Sequence, residues 1–211
     1  MTDVWSDRAQ AYRESEAHRE GRDLDLIVEW AVGARTALDV ATGGGHVARR
    51  LREAGLNVVT TDAAPGMEPD VVCRSEELPF ADGSFDVVVC RVAAHHFDAP
   101  ALAVREMARV SGQLLLISDN LHGGEQLEQA EKLRDPTHVR NYTEREWRGF
   151  LENAGAQVDV VEVIRHPIEL EPWLTRAGCP PEDAARVREL VVDRVEGSKV
   201  VLDRIVIKAV K

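Results

Sequence analysis

Ala37-Leu38-Asp39-Val40-Ala41-Thr42-Gly43-Gly44-Gly45-His46-Val47-Ala48 decides the fold. An apolar run enters three consecutive glycines, and a helical pattern starts directly after them. A strand, a glycine turn and a helix N-terminus gather backbone N–H groups and bare Cα atoms around one point. That arrangement suits a charged, nucleoside-bearing ligand.

Outward from this turn, strands and helices alternate. Strands are predicted over 36–41, 57–61, 85–90 and 113–118. Helices are predicted over 45–54, where Gly55 stops the run, and over 100–110, opening on Pro100. Phe85-Asp86-Val87-Val88-Val89-Cys90 is a β-branched run of the kind buried on both faces of a parallel sheet. Beyond it come amphipathic helices over 125–133 and 143–153, the latter with a Thr143/Glu146 capping box. Strands over 158–164 and 200–210 flank a helical insert at about 172–195, broken by Gly178-Cys179-Pro180-Pro181. Residues from Asp3 to Gly33 read as helical, with a break near Gly21. This order predicts an α/β protein with an open, doubly wound sheet. With no repeat or linker, the 211 residues form one expected domain: an N-terminal helical part (1–33), a ligand-binding half (34–120) and a substrate-side half (121–211).

Composition narrows the partners. The 37 acidic residues against 26 basic ones give a formal charge of -11, which repels phosphate backbones and argues against nucleic acid. Cys73, Cys90 and Cys179 are odd in number and lack CxxC spacing, so neither a disulfide framework nor a metal site is expected. Cys73 and Cys90 sit in apolar runs and read as small core residues. There is no apolar signal core and no apolar run of membrane-spanning length, so a cytoplasmic protein is expected, monomeric or homodimeric.

Gly43, Gly45 and Ala48 fit the GxGxxG/A spacing of a dinucleotide site, and Asp62 lies where a ribose-binding acid belongs. Asp39-x-Ala41-x-Gly43-x-Gly45 fits equally well a second kind of nucleoside site. Context separates the two. Glu77-Leu78-Pro79-Phe80-Ala81-Asp82-Gly83-Ser84-Phe85-Asp86-Val87-Val88-Val89-Cys90 followed by Ala94-His95-His96-Phe97 closely resembles the LPF–DGSFD–HHF run of UbiE-like, class I S-adenosylmethionine (SAM) methyltransferases. Arg134 to Trp147 and the Tyr12, Ser15, His18, Gly21-x-Asp23-Leu24 pattern are also similar to segments of that family. No Tyr-x-x-x-Lys pair supports a dehydrogenase.

The resemblance implies a Rossmann-like, mostly parallel seven-stranded sheet with an antiparallel C-terminal strand and a helical lid at the N-terminus. It implies SAM as cofactor and a small organic methyl acceptor, with O- or C-methylation by in-line displacement. Cofactor contacts are implied at Asp39 (ammonium group), Ala41, Gly43 and Gly45 (methionine part), and Asp62 (ribose hydroxyls). Ser75 and Glu76 would border adenine, and the Arg91 carbonyl would face the ammonium group while its side chain stays in solvent. His96 is the candidate base, needed if the acceptor must lose a proton. Tyr12, His18, His95, His138 and Trp173 are candidates for the lid and substrate region.

The chain departs from the family in three places. Only about eight residues, with two prolines and a glycine, separate Asp62 from the next strand, where a parallel crossover ordinarily needs a dozen or more. The helix after the second strand is therefore expected to be shortened or absent, and the third strand short or displaced. Arg74 stands where the family carries an acid, and Ala41 replaces the first glycine. The alternative reading is a degenerate member that binds a ligand or partner without catalysis.

Overall fold

The computed structural model describes residues 4–211. Asp3, the expected start of the first helix, lies outside them. The N-terminal part holds α1 (Val4–Glu14), α2 (Glu16–Arg19) and α3 (Arg22–Trp30), interrupted at Gly21 as expected. The sheet begins with β1 (Thr36–Val40), α4 (His46–Glu53) and β2 (Asn57–Asp62), followed by β3 (Val71–Val72) and β4 (Phe85–Arg91). Then come α5 (Pro100–Val110), β5 (Ser111–Asn120), α6 (Glu125–Arg134), α7 (Glu144–Asn153) and β6 (Gln157–Glu169). The chain closes with α8 (Leu170–Arg176), α9 (Pro181–Leu190), β7 (Val195–Glu196) and β8 (Lys199–Val210).

Seven strands run in the order β3-β2-β1-β4-β5-β8-β6, and the two-residue β7 pairs with β8 off that path. The first five are mutually parallel; β8 lies antiparallel to both β5 and β6. This is the Rossmann-like methyltransferase sheet the sequence implied, with one small extra strand. β6 is longer than the expected 158–164 and carries Pro167. It is an edge strand, so the missing N–H of Pro167 costs no ladder bond.

Alternation along β4 explains why its apolar run is continuous. Val87 and Val89 face a cluster built from Leu24 and Ile27 of α3 and Leu51 of α4. Val88 and Cys90 face the opposite cluster, with Met107 of α5 and Trp147 and Leu151 of α7. Val87, Val88 and Val89 are fully buried, each contributing about 1.5–3 kcal/mol by leaving water. At the start of α7, Thr143 and Glu146 exchange the two bonds of the predicted capping box. A second core joins α6 to the C-terminal insert through Leu127, Trp173, Leu174, Val187 and Leu190.

The link between β2 and β3 is short, as expected. It holds a 3-10 turn at Pro65–Met67, and β3 pairs with β2 over two residues only. Helix α1 fills the place beside it. Ala9, with Trp5 and Tyr12, packs on Ala64 and Met67. Gly66 N–H donates to Ser6 Oγ at 2.9 Å, and Arg13 donates to the Gly66 carbonyl at 2.8 Å. The approach is so close that a Cβ on Gly66 would lie 2.5 Å from that of Ser6. The N-terminal helix thereby supplies a wall that the sheet connection lacks.

Candidate functional site

The order of strands reverses between β1 and β4, and a cavity of about 530 Å³ opens at their C-terminal ends. Ligands of open α/β sheets bind at this switch point, and the volume is that of a small-molecule site. At its floor the chain leaves β1 through a strained turn. Ala41, Gly43 and Gly45 have φ of 55°, 51° and 75°, in the left-handed region that favours glycine. Ala41 adopts it despite its Cβ. Val92, just past β4 on the cavity wall, has φ 53°, a costly conformation for a β-branched residue.

Asp39 ends one oxygen's duties within the turn. Its Oδ2 accepts from Thr42 Oγ1 at 2.6 Å and from Ala48 N–H at 3.1 Å. Oδ1 has no partner among the described residues, and the side chain borders the cavity. Burial pushes this carboxyl up to about 6, although the Thr42 and Ala48 bonds and the Arg91 charge pull the other way. A buried carboxylate with a spare oxygen and no ion partner of its own is a seat for a ligand cation. Asp62, ending β2, is held by Ala64 N–H on Oδ1 (2.9 Å) and Gly43 N–H on Oδ2 (3.0 Å). Its carboxylate borders the cavity, pinned by these two N–H groups at the end of β2.

Gly43 and Ala41 line the cavity, whereas Gly45 does not and serves as the N-cap of α4. Gly44 has a separate reason to be glycine. A Cβ there would fall 2.7 Å from the Tyr12 carbonyl oxygen, which also contacts His46 Nε2 at 3.0 Å. The turn is therefore shaped for α1 as well as for a ligand.

Ser75 and Glu76 both line the far end, with Ser75 Oγ 3.2 Å from Glu76 Oε2. Arg74 sits at the rim and bridges Glu76 (3.4 Å) to Asp98 (3.0 Å). Arg91 corrects one expectation. Its side chain is not solvated but buried in an ion triad: Nε and Nη2 meet Asp23 at 2.6 and 3.2 Å, and Arg204 reaches Asp23 at 3.0 Å. Burial alone would raise the Asp23 carboxyl; Arg204 and Arg91 outweigh it and hold it far below the ordinary range. Arg91 also donates to the His18 carbonyl at 2.8 Å, so the triad ties the N-terminal helices to the strand ends.

The histidines divide sharply. His96 borders the cavity, and its Nδ1 lies 3.0 Å from the Thr137 carbonyl. A carbonyl only accepts, so Nδ1 carries the proton and Nε2 is left without a partner among the described residues. Burial, then the neighbouring His95, lower the His96 pKa well below an ordinary imidazole, so the ring is neutral. Trp5 meets it edge-on with centroids 4.6 Å apart. His95 points away, pairing Nδ1 with Asp119 at 2.5 Å. Burial opposes its charge, but Asp119 outweighs burial and raises its pKa.

Tyr12 and His18 border the cavity from the N-terminal side, with rings 5.4 Å apart. Burial raises the Tyr12 phenol and keeps His18 neutral. His138 does not reach the cavity; its side chain is fully buried against Glu128 at 3.1 Å. Trp173 does not reach it either. It is buried in the second core, with Arg134 stacked 4.6 Å over its ring. Cys90 is buried in the core as expected, but Cys73 is half-buried on the cavity wall. Trp5 and Met67 also line the cavity and carried no sequence signal of their own; Phe97 and Thr137 line it too, and the sequence offered them only as parts of longer motifs. Among the described residues no group of three or more His, Cys, Asp or Glu is arranged to hold a metal ion.

Comparison with known proteins agrees with this geometry. A sequence model of the methyltransferase domain matches residues 38–115. The uncharacterized methyltransferase YcgJ of Bacillus subtilis is 30% identical over 202 residues, covering 84% of this chain and 80% of its own. Its solved structure superposes with a TM-score of 0.79 at 25% identity, covering 90% and 97% of the two chains. The demethylmenaquinone methyltransferase of Renibacterium salmoninarum is 34% identical over 116 residues, 49% of each chain. The spare oxygen of Asp39 and the pinned carboxylate of Asp62 fit the ammonium group and ribose of SAM. The chain belongs to the class I SAM-dependent methyltransferases, in their UbiE-like branch.

Proposed function

We propose that the chain methylates a small, neutral organic acceptor at oxygen or carbon, with His96 taking the proton that the acceptor gives up. One observation carries this reading: a neutral histidine on the cavity wall, its proton committed to the Thr137 carbonyl and its Nε2 unpartnered among the described residues. SAM, when bound, supplies a methyl group on a sulfonium, which needs a well-placed nucleophile more than an activated leaving group. The protein's share is then to position the acceptor and exclude water. Asp39 holds the ammonium group of the cofactor, Asp62 the ribose, and Ser75 and Glu76 border the base.

Trp5, Met67, Phe97, Pro136 and Val139 make the remaining wall aromatic and apolar, which favours an uncharged acceptor with one acidic O–H or activated ring carbon. The likeness to a demethylmenaquinone methyltransferase supports a hydroxylated aromatic ring as a first class to try. The charge of -11 speaks against a nucleic acid acceptor. No helix among the described residues is long and apolar enough to cross a membrane.

The test is transfer of isotopically labelled methyl from SAM into extractable product across a panel of phenols and quinols, with wild type and His96→Gln. Transfer that His96→Gln lowers by about 100-fold or more supports the reading. Undiminished transfer by His96→Gln removes the base, and SAM binding without transfer to any acceptor favours the non-catalytic alternative.

A further inference from the structure

Asp135, the residue that closes α6, stands outside the cavity lining yet joins Thr137, which holds His96, to Arg8 of α1. Its carboxylate is 1% exposed. Oδ1 accepts from Thr137 N–H at 3.1 Å and from Thr137 Oγ1 at 2.7 Å. That pins the turn whose Thr137 carbonyl takes the Nδ1 proton of His96. The same Oδ1 accepts from Arg8 of α1 at 3.1 Å, across 127 residues of sequence. Arg8 also donates to the Ala177 carbonyl at 2.5 Å and lies 5.5 Å over the ring of Trp5. Trp5, one turn earlier on α1, makes the edge contact with His96.

We propose that Asp135 is a positioning residue that couples the docking of α1 to the orientation of His96. It rests on the reading of His96 as the proton acceptor. Without α1, the His96 ring keeps the Thr137 carbonyl on one side and loses Trp5 on the other. The turn at Thr137 then depends on a buried carboxylate that has lost its ion-paired partner, whose Oδ2 has no hydrogen bond and to which Arg176 supplies only an unbonded charge. Burying a carboxylate without a bonded cation is costly, so the turn and the docked helix support each other. A base held to within about 0.5 Å and 10–20° is what proton transfer requires, and both restraints on this ring trace back to α1.

The other charged or titratable groups around His96 do not depend on α1. His95 stacks at 4.1 Å and is paired with Asp119 of β5; His138 lies at 6.3 Å and is paired with Glu128 of α6. Arg8 is the charge that α1 brings to Asp135. Docking of α1 and alignment of the base are therefore one arrangement, joined through Arg8, Asp135 and Thr137.

The test uses the full chain labelled with 15N-histidine, the His96 signals being assigned by their loss in His96→Gln. Wild type is expected to show one neutral tautomer with the proton on Nδ1, persisting below the pH at which an ordinary histidine titrates. In Arg8→Met and Asp135→Asn, both tautomers are expected to appear. With any acceptor found, kcat is expected to fall by about tenfold or more while KM for SAM changes less. Arg8→Lys should restore part of the Nδ1-H population. A wild-type tautomer in both Arg8→Met and Asp135→Asn overturns the proposal. If Asp135→Asn does not fold, Arg8→Met decides alone, since Arg8 lies outside both large cores. The tautomer is read without any acceptor, so failure of methyl transfer alone removes the base role and not this coupling.

Discussion

Lowering the pH from 7.5 to 5.0 weakens SAM binding about tenfold, or about 1.4 kcal/mol, if Asp39 holds the cofactor's ammonium group. The magnitude follows from the carboxyl being pushed up to about 6 by burial, with Oδ1 free of protein partners. At pH 7.5 such a group is roughly 97% ionised, and at pH 5.0 about 9%; an α-amino group of pKa about 7.7–8.0 is mostly protonated at pH 7.5 and fully so at pH 5.0, which offsets only a small part of the loss. Calorimetric titration at half-unit steps reads the effect directly. Asp39→Asn removes the charge but can still accept from Thr42 and Ala48. It is expected to raise Kd at pH 7.5 by about 10- to 150-fold, the worth of about 1.5–3 kcal/mol for a hydrogen bond to a charged group. It should also abolish the pH slope. The control matters because His46, another cavity residue, is also titratable, and burial lowers its pKa from the ordinary imidazole value. The cofactor-free protein gives a second sign. A folded-state pKa above the unfolded value of 3.8 means that the native state binds the proton more tightly. Asp39 therefore subtracts stability as pH rises from about 4 to 6, and cofactor-free Asp39→Asn should melt no lower than wild type at pH 7.5. A wild-type Kd that is flat over this range, or a slope that survives in Asp39→Asn, refutes the assignment.

Gly66→Ala puts a Cβ against Ser6 and should push α1 off the β2–β3 link, costing about 1–3 kcal/mol in denaturant unfolding and weakening SAM binding. Because that Cβ would also lie 2.6 Å from the Ser6 Cα, Ser6→Gly should not rescue Gly66→Ala, and full recovery in the pair would mean that the two backbones do not approach this closely. Asp119→Asn takes away the partner that raises the His95 pKa, so less positive charge stands beside His96 and the His96 pKa should rise. The acid limb of the kcat/KM profile should then move to higher pH; a limb that stays or moves down counts against the pairing. Trp173→Ala should destabilise the insert by about 3–5 kcal/mol yet leave SAM affinity unchanged at temperatures where the protein stays folded. A marked rise in Kd would mean that the insert reaches the cofactor after all.

Local pattern carried most of the fold. The β-branched run of β4, the glycine turn, the Thr143–Glu146 box and the shortened β2–β3 link are each readable within ten or so residues, because their causes are local. β6 ran further than its apolar core because Arg165-His166-Pro167 looks like a strand end. Those residues are tolerated at an edge, and edge position is a tertiary fact. The residues at the floor of the strand-end cavity were legible for the same reason of spacing, as with Asp39, Gly43 and Asp62. The Arg91 side chain was not, since its counter-ion Asp23 lies 68 residues earlier and Asp23's other cation, Arg204, 181 residues beyond it. The roles of Trp5 and Thr137 were invisible for a related reason. Each takes its meaning from His96, which α1 and the segment after α6 meet only in the folded chain.

Ala41 and Val92 stand at the ends of neighbouring strands, each held at a φ that its side chain resists. Such residues cost on the order of 1–3 kcal/mol apiece, a visible part of a typical folding stability of about 5–15 kcal/mol. Any search for hardier variants that watches only heat resistance would converge on these two positions and relax them to glycine. At position 41 that change restores the glycine the family carries, so the strain there is particular to this chain and not a requirement of the turn. At position 92 the strain sits on the cavity wall, and releasing it would free the backbone that lines the pocket.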